Sequence, residues 1–370
     1  MRIGIIGAGQ LGQMLGFAAR ELGDSCTFLD PAENPPAARA GPVITAAFDD
    51  AAALERLAAA SDVVTYEFEN VPVAALDTIE RRVPIYPPPA ALEEAQDRLA
   101  EKRLFERLEI PLPAYRAVDS HADLEAAARD IGLPLVLKTR RFGYDGKGQV
   151  VIRREADIES AWRALGGDSL IAEAWVAFDR EVSALGVRGT SGEVALYPLT
   201  ENRHADGILR RSVAPARDAA ALTAAASTYL RRMLEALDYT GVLALELFVT
   251  GNRLLANEFA PRVHNSGHWT IEGARTSQFE NHVRAITGRR LGPASARAHA
   301  GMLNLIGQIP PGAQRLEHGT LHDYGKAPRP GRKLGHITAV AESAAELDRR
   351  LAAIEAGLGG AAGGTDPPAA

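Results

Sequence analysis

Gly7, Gly9 and Gly12 stand in a G-x-G-x-x-G pattern directly after the apolar run Ile3-Gly4-Ile5-Ile6. An apolar run, a tight glycine turn and the amphipathic stretch QLGQMLGFAARELG predict a strand, a turn and a helix ended by Gly23. SCTFLD predicts a second strand, DDAAALERLAAAS a helix and DVVTYEF a third strand. Short apolar runs separated by helices fit a parallel sheet with right-handed crossovers, so the first ~90 residues are held to a Rossmann-like α/β unit. The same glycines, with Asp30 closing the second run, match the pattern that binds a dinucleotide pyrophosphate and its ribose. A nicotinamide-dependent dehydrogenase is therefore the first reading that this opening raises.

The remainder of the chain sets bounds on that reading. Its 370 residues predict two or three domains, because single cores seldom grow past ~250–300 residues. Hydrophobic residues make up 46% and charged residues 24%, a soluble globular balance. A net charge of −6 argues against nucleic-acid binding through bulk positive charge, yet leaves room for small anions in a local cationic pocket. Cys26 is the only cysteine, which excludes an intramolecular disulfide or a thiolate metal cluster. No apolar stretch approaches the ~20 residues of a membrane span, and no signal-peptide pattern precedes the first strand. The expectation is a cytoplasmic protein with neither membrane nor nucleic-acid partner.

The proline cluster in VPIYPPPAALEEAQD sets a first boundary, giving an N-terminal unit over 1–95. A charged helix, DRLAEKRLFERL, and a break at EIPLPAY follow. A compact α+β segment then holds the strand LPLVLKT, the loop RRFGYDGKGQ, the strand VVIR, a helix around Trp162 and the strand LIAEAWV, giving a central domain over 96–178. From REVSALGVRG onward the chain reads as strands and hairpins, an Ala-rich helix over roughly 216–237, and the segment GVLALELFVTGNRLLANEFAPR. This third domain covers 179–358, with a small β-rich unit from about 298, and 359–370 is expected to be a disordered tail.

Five groups of residues can carry chemistry. Lys138 ends an apolar strand just before a turn punctuated by Gly143, Gly146 and Gly148, with Lys147 inside it. Such a turn lets backbone N–H groups approach phosphate oxygens, although a hairpin tip has the same composition. Glu246 and Glu258 lie in a predicted β-hairpin whose loop is read as Thr250-Gly251-Asn252. In that register Glu246 faces Ala256, and Glu258 sits diagonally on the same face; a two-residue loop would separate the pair. Close carboxylates without His or Cys suit Mg²⁺, whereas two solvent-facing glutamates would need no metal. Arg262, His264, Asn265 and His268 crowd the loop after Glu258 and suit a small oxyanion. Arg329, Arg332, Lys333 and His336 form either a solvated basic loop or a second anion site. Glu67 and Glu69 follow the third strand at the carboxyl edge, where open α/β sheets bind ligands.

Through these residues the sequence resembles the ATP-grasp superfamily and, within it, the carboxyaminoimidazole ribonucleotide synthase family. The resemblance runs through GIIGAGQLGQML, TYEFENVP, KTRRFGYDGKGQ, EVSALGVRG, YPLTENRHADGILRRS, ELFVTGNRLLANEFAPRVHNSGHWT, SQFENHVRAITG and RPGRKLGHI, nearly the whole chain apart from the tail. NEFAPRVHNSGHWT together with GYDGKGQ is highly specific; the opening glycines are not. The resemblance implies a mixed α/β and α+β ATP-grasp fold, with a Rossmann-like pre-ATP-grasp domain, a small central lid domain and a C-terminal domain ending in the β-rich unit.

It also implies roles for matching residues. Arg98 and Lys138 would contact ATP phosphates, and the loop Gly143, Tyr144, Asp145, Gly146, Lys147, Gly148 and Gln149 would close over them. Glu173, Ala174, Trp175 and Val176 would hold adenine with backbone groups, Glu181 the ribose, and His204 would approach the nucleotide. Glu246 and Glu258 would bind Mg²⁺, or Mn²⁺ in its place, with Asn257 alongside. Ala260 occupies the place where many ATP-grasp enzymes carry a further Asn ligand, so no third side-chain ligand is assigned. The implied reaction phosphorylates bicarbonate with ATP and transfers the carboxyl group from carboxyphosphate to the amine of 5-aminoimidazole ribonucleotide, in purine biosynthesis. Arg262 and His264 would hold bicarbonate and carboxyphosphate, with Tyr144 and Lys333 closing the site. The ribonucleotide would lie against Gly9, Gln10, Leu11, Glu67, Glu69 and Asn265, its phosphate reaching toward Arg332. A homodimer is implied, with a separate mutase taking the product, because the chain ends too early to include one. The competing readings are another ATP-grasp ligase, such as a formate-dependent glycinamide ribonucleotide transformylase, the NAD-dependent dehydrogenase, and a non-catalytic nucleotide-binding protein.

Overall fold

The structure is a computed structural model describing residues 1–143, 146–167, 169–315 and 317–358. Tyr144, Asp145 and the expected tail at 359–370 lie outside the described residues. The opening glycine pattern folds as expected: the strand Arg2–Ile6 leads into the helix Gln10–Glu21, which buries Leu11, Met14, Leu15, Ala18 and Ala19. The strand lies between Ser25–Asp30 and Val63–Tyr66 in a four-stranded sheet in which all pairings are parallel. Its outer strand, Val43–Thr45, was not anticipated, since three residues carry no readable alternation. The proline cluster at the expected boundary contains a helix start. Pro89 opens the helix Pro89–Gln96, where its missing N–H has no intrahelical partner to lose.

Asp97 caps the next helix, Arg98–Arg107, by accepting from the Leu99 N–H at 2.9 Å. The following domain is an antiparallel sheet ordered Tyr115–Val118, Leu170–Ala174, Leu135–Thr139, Gln149–Ile152. Leu124 and Ala127 of the helix His121–Ile131 and Ala161 of Ile158–Leu165 pack onto Leu135, Leu137, Leu170 and Ala172, a core of its own.

The third sheet has nine strands. From one edge it runs Arg253–Ala260, Gly241–Thr250, Arg180–Arg188, Thr200–Ala205, Ile208–Ala214, His299–Ile306, Lys333–Ala341 and Thr320–Asp323, with Val194–Leu196 added beside Arg180–Arg188. The β-rich unit expected from about 298 is thus continuous with this sheet. Ala214 pairs with Ala300 and Arg211 with Leu303, so hydrogen bonds run unbroken from Arg253 to Thr320 across the sheet. The N-terminal unit shares a core with this domain: Leu11, Met14 and Leu15 belong to one buried cluster with Phe279, Val283 and Ile286. At its rim Asp24, fully buried, accepts from Arg289 Nη2 at 2.8 Å and from the N-terminal ammonium at 2.5 Å.

The glutamate hairpin departs from its expected form. The loop is Gly251-Asn252 alone, with Gly251 at φ 57°, and Thr250 pairs with Arg253. A regular ladder from that loop would set Glu246 against Asn257. A β-bulge intervenes: Leu247 pairs with Ala256, and Glu246 pairs directly with Glu258, leaving Asn257 as the extra residue. The predicted diagonal arrangement is therefore replaced by a directly opposed pair. Leu254, Ala256 and Phe259 face the core, while Asn257 and Glu258, adjacent in sequence, both line the cleft.

Candidate active site

Two clefts meet at the opposed glutamates. The first is lined by Arg98, Lys138, Gly146, Gln149, Glu173, Ala174, Trp175, Val176, Glu181, His204, Asn257 and Glu258. The second is lined by Gln10, Leu11, Glu69, Gly143 and Arg262. Arg98, Glu246, Glu258, His264, Asn265 and Lys333 line both. The site thus draws on the second and third sheets and on the helix and loop that follow strands of the first, and the residues common to both clefts lie at their junction.

The first cleft is apolar at one end and charged at the other. Val136, Val151, Ala174, Trp175, Phe178, Leu209 and Phe248 form the apolar end, with Phe178 stacked on Phe248 at 4.8 Å. That surface suits a planar ring. Toward the junction, Lys138 Nζ donates to Glu173 Oε2 at 2.9 Å, and Lys102 Nζ lies 3.5 Å from the same oxygen. Burial alone would raise the Glu173 carboxyl, but Lys102 and Lys138 outweigh it and hold it down at about 2. Lys138 is itself pushed below its usual value by burial among other cations. His204 Nδ1 is 2.7 Å from Glu181 Oε2; burial opposes protonation there, and Glu181 with Glu246 overcomes it and raises the imidazole.

At the junction, Arg98 Nη1 donates to Glu258 Oε2 at 2.9 Å, and His264 Nε2 is 3.4 Å from Glu246 Oε1. Burial and the facing Glu258 raise the Glu246 carboxyl, whereas Arg98 outweighs burial and lowers Glu258. Two carboxylates pressed together in this way favour a cation between them. With no third acidic or imidazole ligand grouped there among the described residues, the donor set suits a hard ion completed by phosphate oxygens and water. His264 is held well below its normal value by burial and by Arg262 and Lys333, so it is neutral at pH 7. Arg262 pairs with Glu69 at 2.9 Å, and Asn265 exchanges hydrogen bonds with Asn304 at 2.6 and 3.1 Å.

Several expected site residues are placed elsewhere. The Glu67 carboxylate accepts the Gly9 N–H at 2.7 Å, beneath the glycine turn. Asp30 Oδ2 accepts the Ala8 N–H at 2.8 Å and Oδ1 the Ala32 N–H at 2.8 Å. Gly7 takes φ 94°, and a Cβ there would stand 2.8 Å from Glu67, so only glycine fits. The turn is thus closed on its own carboxylates, and the acid that a dinucleotide ribose would need is already bonded. Gly9, Glu67, Lys147, Gly148 and Arg332 lie outside the lining of both clefts, Arg332 donating to the Ala327 carbonyl at 3.2 Å. Glu101 and Lys102 went unnoticed in the sequence because a charged helix reads as solvated, yet both are buried. Lys326, also unanticipated, bonds Gln10 Oε1 and is brought down to about 8 by burial.

Comparison with known proteins agrees with this layout. Family models described as ribonucleotide synthetase preATP-grasp domain, ATP-grasp domain and phosphoribosylaminoimidazole carboxylase C-terminal domain match residues 1–96, 103–279 and 300–350. The N5-carboxyaminoimidazole ribonucleotide synthase of Pseudomonas aeruginosa is 49% identical over 358 residues, covering 96% of this chain and 99% of its own. That of Brucella melitensis is 47% identical, covering 91% and 96%. The crystal structure of the Thermus thermophilus N5-carboxyaminoimidazole ribonucleotide synthetase superposes with a TM-score of 0.92 at 53% identity, over 96% of this chain and 98% of that one. The Aspergillus clavatus synthase, solved with ADP and 5-aminoimidazole ribonucleotide, superposes with a TM-score of 0.89 at 32% identity, over 96% and 98%. With these three domains in succession and relatives of nearly equal extent, the chain belongs to the N5-carboxyaminoimidazole ribonucleotide synthase family.

Proposed function

We propose that this protein uses ATP to carboxylate 5-aminoimidazole ribonucleotide with bicarbonate, giving N5-carboxyaminoimidazole ribonucleotide, ADP and phosphate. The observation that carries this reading is the opposed pair Glu246 and Glu258 at the junction of two clefts, one suited to a nucleotide and the other opening on the glycine turn. The adenine lies at the apolar end of the first cleft beside Trp175 and Phe248. The N–H groups of Ala174 and Trp175 already donate to Ala114 and Pro134, so adenine contacts fall to the carbonyls of this segment and to Val176. Glu181 and His204 take the ribose side, and Arg98, Lys138 and the glycine loop take the phosphates.

Glu246 and Glu258, with Asn257 alongside, would hold Mg²⁺ or Mn²⁺, which would supply positive charge to offset that of the phosphates. The protein supplies positioning and fixed charge. Arg262, neutral His264 and Lys333 hold bicarbonate in line with the γ-phosphate, so that one bicarbonate oxygen takes the phosphoryl group and ADP leaves. Carboxyphosphate then sits at the junction, where the amine of the ribonucleotide takes its carboxyl group and phosphate is released. The ribonucleotide occupies the second cleft against Gln10, Leu11, Glu69 and Asn265, with its phosphate toward the basic segment that carries Arg332 and Lys326. A homodimer, a cytoplasmic location and a separate mutase that consumes the product belong to the same reading.

The deciding experiment is ATP cleavage measured with bicarbonate and aminoimidazole ribonucleotide, each alone and together. Phosphate release that needs both supports the reading. Release stimulated by formate with glycinamide ribonucleotide would transfer the protein to the formate-dependent ligases.

A further inference from the structure

The helix Arg98–Arg107 presents Arg98, Glu101 and Lys102, at spacings i, i+3 and i+4, to three successive residues of the edge strand Arg253–Ala260. Arg98 holds the Glu258 carboxylate. Glu101 Oε1 accepts the backbone N–H of Phe259 at 2.7 Å. Lys102 Nζ donates to the backbone carbonyl of Asn257. An edge strand has backbone groups without ladder partners, and a bulge adds another. Here the unpaired groups on either side of Glu258 are met by side chains from a single helix face. Glu101 is 2% exposed and Lys102 0%, so neither is a solvated charge. Burying them is costly unless each is closely bonded, and their bonds converge on the bulge. Lys102 also lies 3.5 Å from Glu173, the carboxylate that holds Lys138, so this helix touches both the paired glutamates and the phosphate-facing lysine.

We propose that Glu101 and Lys102 are positioning residues that clamp the backbone on both sides of Glu258, fixing its carboxylate opposite Glu246 for a divalent cation. The proposal rests on the reading of Glu246 and Glu258 as the cation's ligands. Its signature is a weakened response to the metal with metal-free nucleotide binding preserved. A helix that merely covered the sheet edge would weaken both together, or neither.

The test titrates MgCl₂ against the full-length protein and follows ADP affinity by calorimetry, in EDTA and at each Mg²⁺ level, together with the Mg²⁺ concentration for half-maximal ATP cleavage. Glu101→Leu removes the acceptor from the Phe259 N–H and is expected to raise the half-saturating Mg²⁺ tenfold or more, with ADP affinity in EDTA within twofold of wild type. Glu101→Gln keeps an acceptor oxygen and should stay within threefold. Lys102→Met, which leaves the Asn257 carbonyl without its donor, should shift the Mg²⁺ response as Glu101→Leu does, and it carries the comparison with Glu101→Gln if Glu101→Leu does not fold. A wild-type Mg²⁺ response in Glu101→Leu or in Lys102→Met overturns the proposal, as does, in Glu101→Leu, an equal loss of ADP affinity with and without Mg²⁺. Glu258→Gln measured alongside separates the two levels. If it alone loses the Mg²⁺ response, the ligand reading stands and the clamp fails; if it too responds as wild type, the ligand reading fails and takes the clamp with it.

Discussion

Asp30 accepts the backbone N–H of Ala8, so the carboxylate at the end of the second strand closes the glycine turn instead of facing a ribose. NADH and NADPH are accordingly expected to give no binding heat at 1 mM, on the order of ordinary cofactor affinities, under conditions where ADP binds. Saturable NADH binding would return the dinucleotide reading to the glycine pattern.

Glu258→Ala removes half of the opposed pair and the partner of Arg98. ATP cleavage should fall by about 10³-fold or more, in line with losing charge stabilisation of the transferred phosphoryl group. Circular dichroism should remain that of the wild type, because the carboxylate faces the cleft and not the core. Chelation with EDTA should abolish cleavage to the same extent.

Trp175 is 40% exposed at the apolar end of the first cleft, with Arg153 over its ring at 5.5 Å. Trp175→Ala is expected to raise the KM for ATP about fivefold with little change in kcat, a loss of ~1 kcal/mol of aromatic contact. A fall in kcat with KM unchanged would place the ring in the chemistry and not in base binding.

Asp24 is buried, and burial raises its carboxyl, but Arg289 and the N-terminal ammonium outweigh that and hold it below the usual value. A carboxylate depressed in the folded state stabilises above its unfolded value of ~3.9 and loses that contribution as pH falls through the folded value. Asp24→Asn should therefore cost about 1–2 kcal/mol at pH 7, the two cationic partners being partly solvated. The gap between the two denaturation midpoints should narrow below about pH 4. A constant gap down to pH 3 would assign the effect to packing.

The strands and helices with long, clean periodicity were legible from residue types alone. The helix at Gln10–Glu21 and the hairpin around Glu246 follow directly from apolar spacing and turn residues. The hairpin register was not legible, because a loop length and a bulge offset one another. The trace that remains is in the spacing of core residues: Leu254 and Ala256 are two apart, and Phe259 comes three later. Glu67 and Asp30 were legible as acids at strand ends, but whether such an acid faces a ligand or its own turn depends on main-chain geometry that residue types do not encode. Lys102 was hidden for a different reason. Its helix has few apolar residues, so nothing in its pattern distinguishes a charge in water from one enclosed by a strand edge, Glu173 and Phe105. The joining of His299–Ile306 to Ile208–Ala214 was equally hidden, since pairing across some 90 residues leaves no local pattern.

That joining has a mechanical consequence. Glu181, His204, Glu246, Glu258 and Lys333 all ride on strands of one hydrogen-bonded sheet, whereas Lys138 and Glu173 belong to a separate four-stranded sheet with its own core, and Trp175 directly follows one of its strands. The nucleotide cleft is therefore a vice with one fixed jaw. On the proposed reading, displacing the smaller sheet would alter the grip on phosphates and adenine, while the glutamates, histidine and lysine on the larger sheet would keep their spacing. On that reading the reacting oxygens would meet the same anvil throughout, and any change in grip would come from the other side.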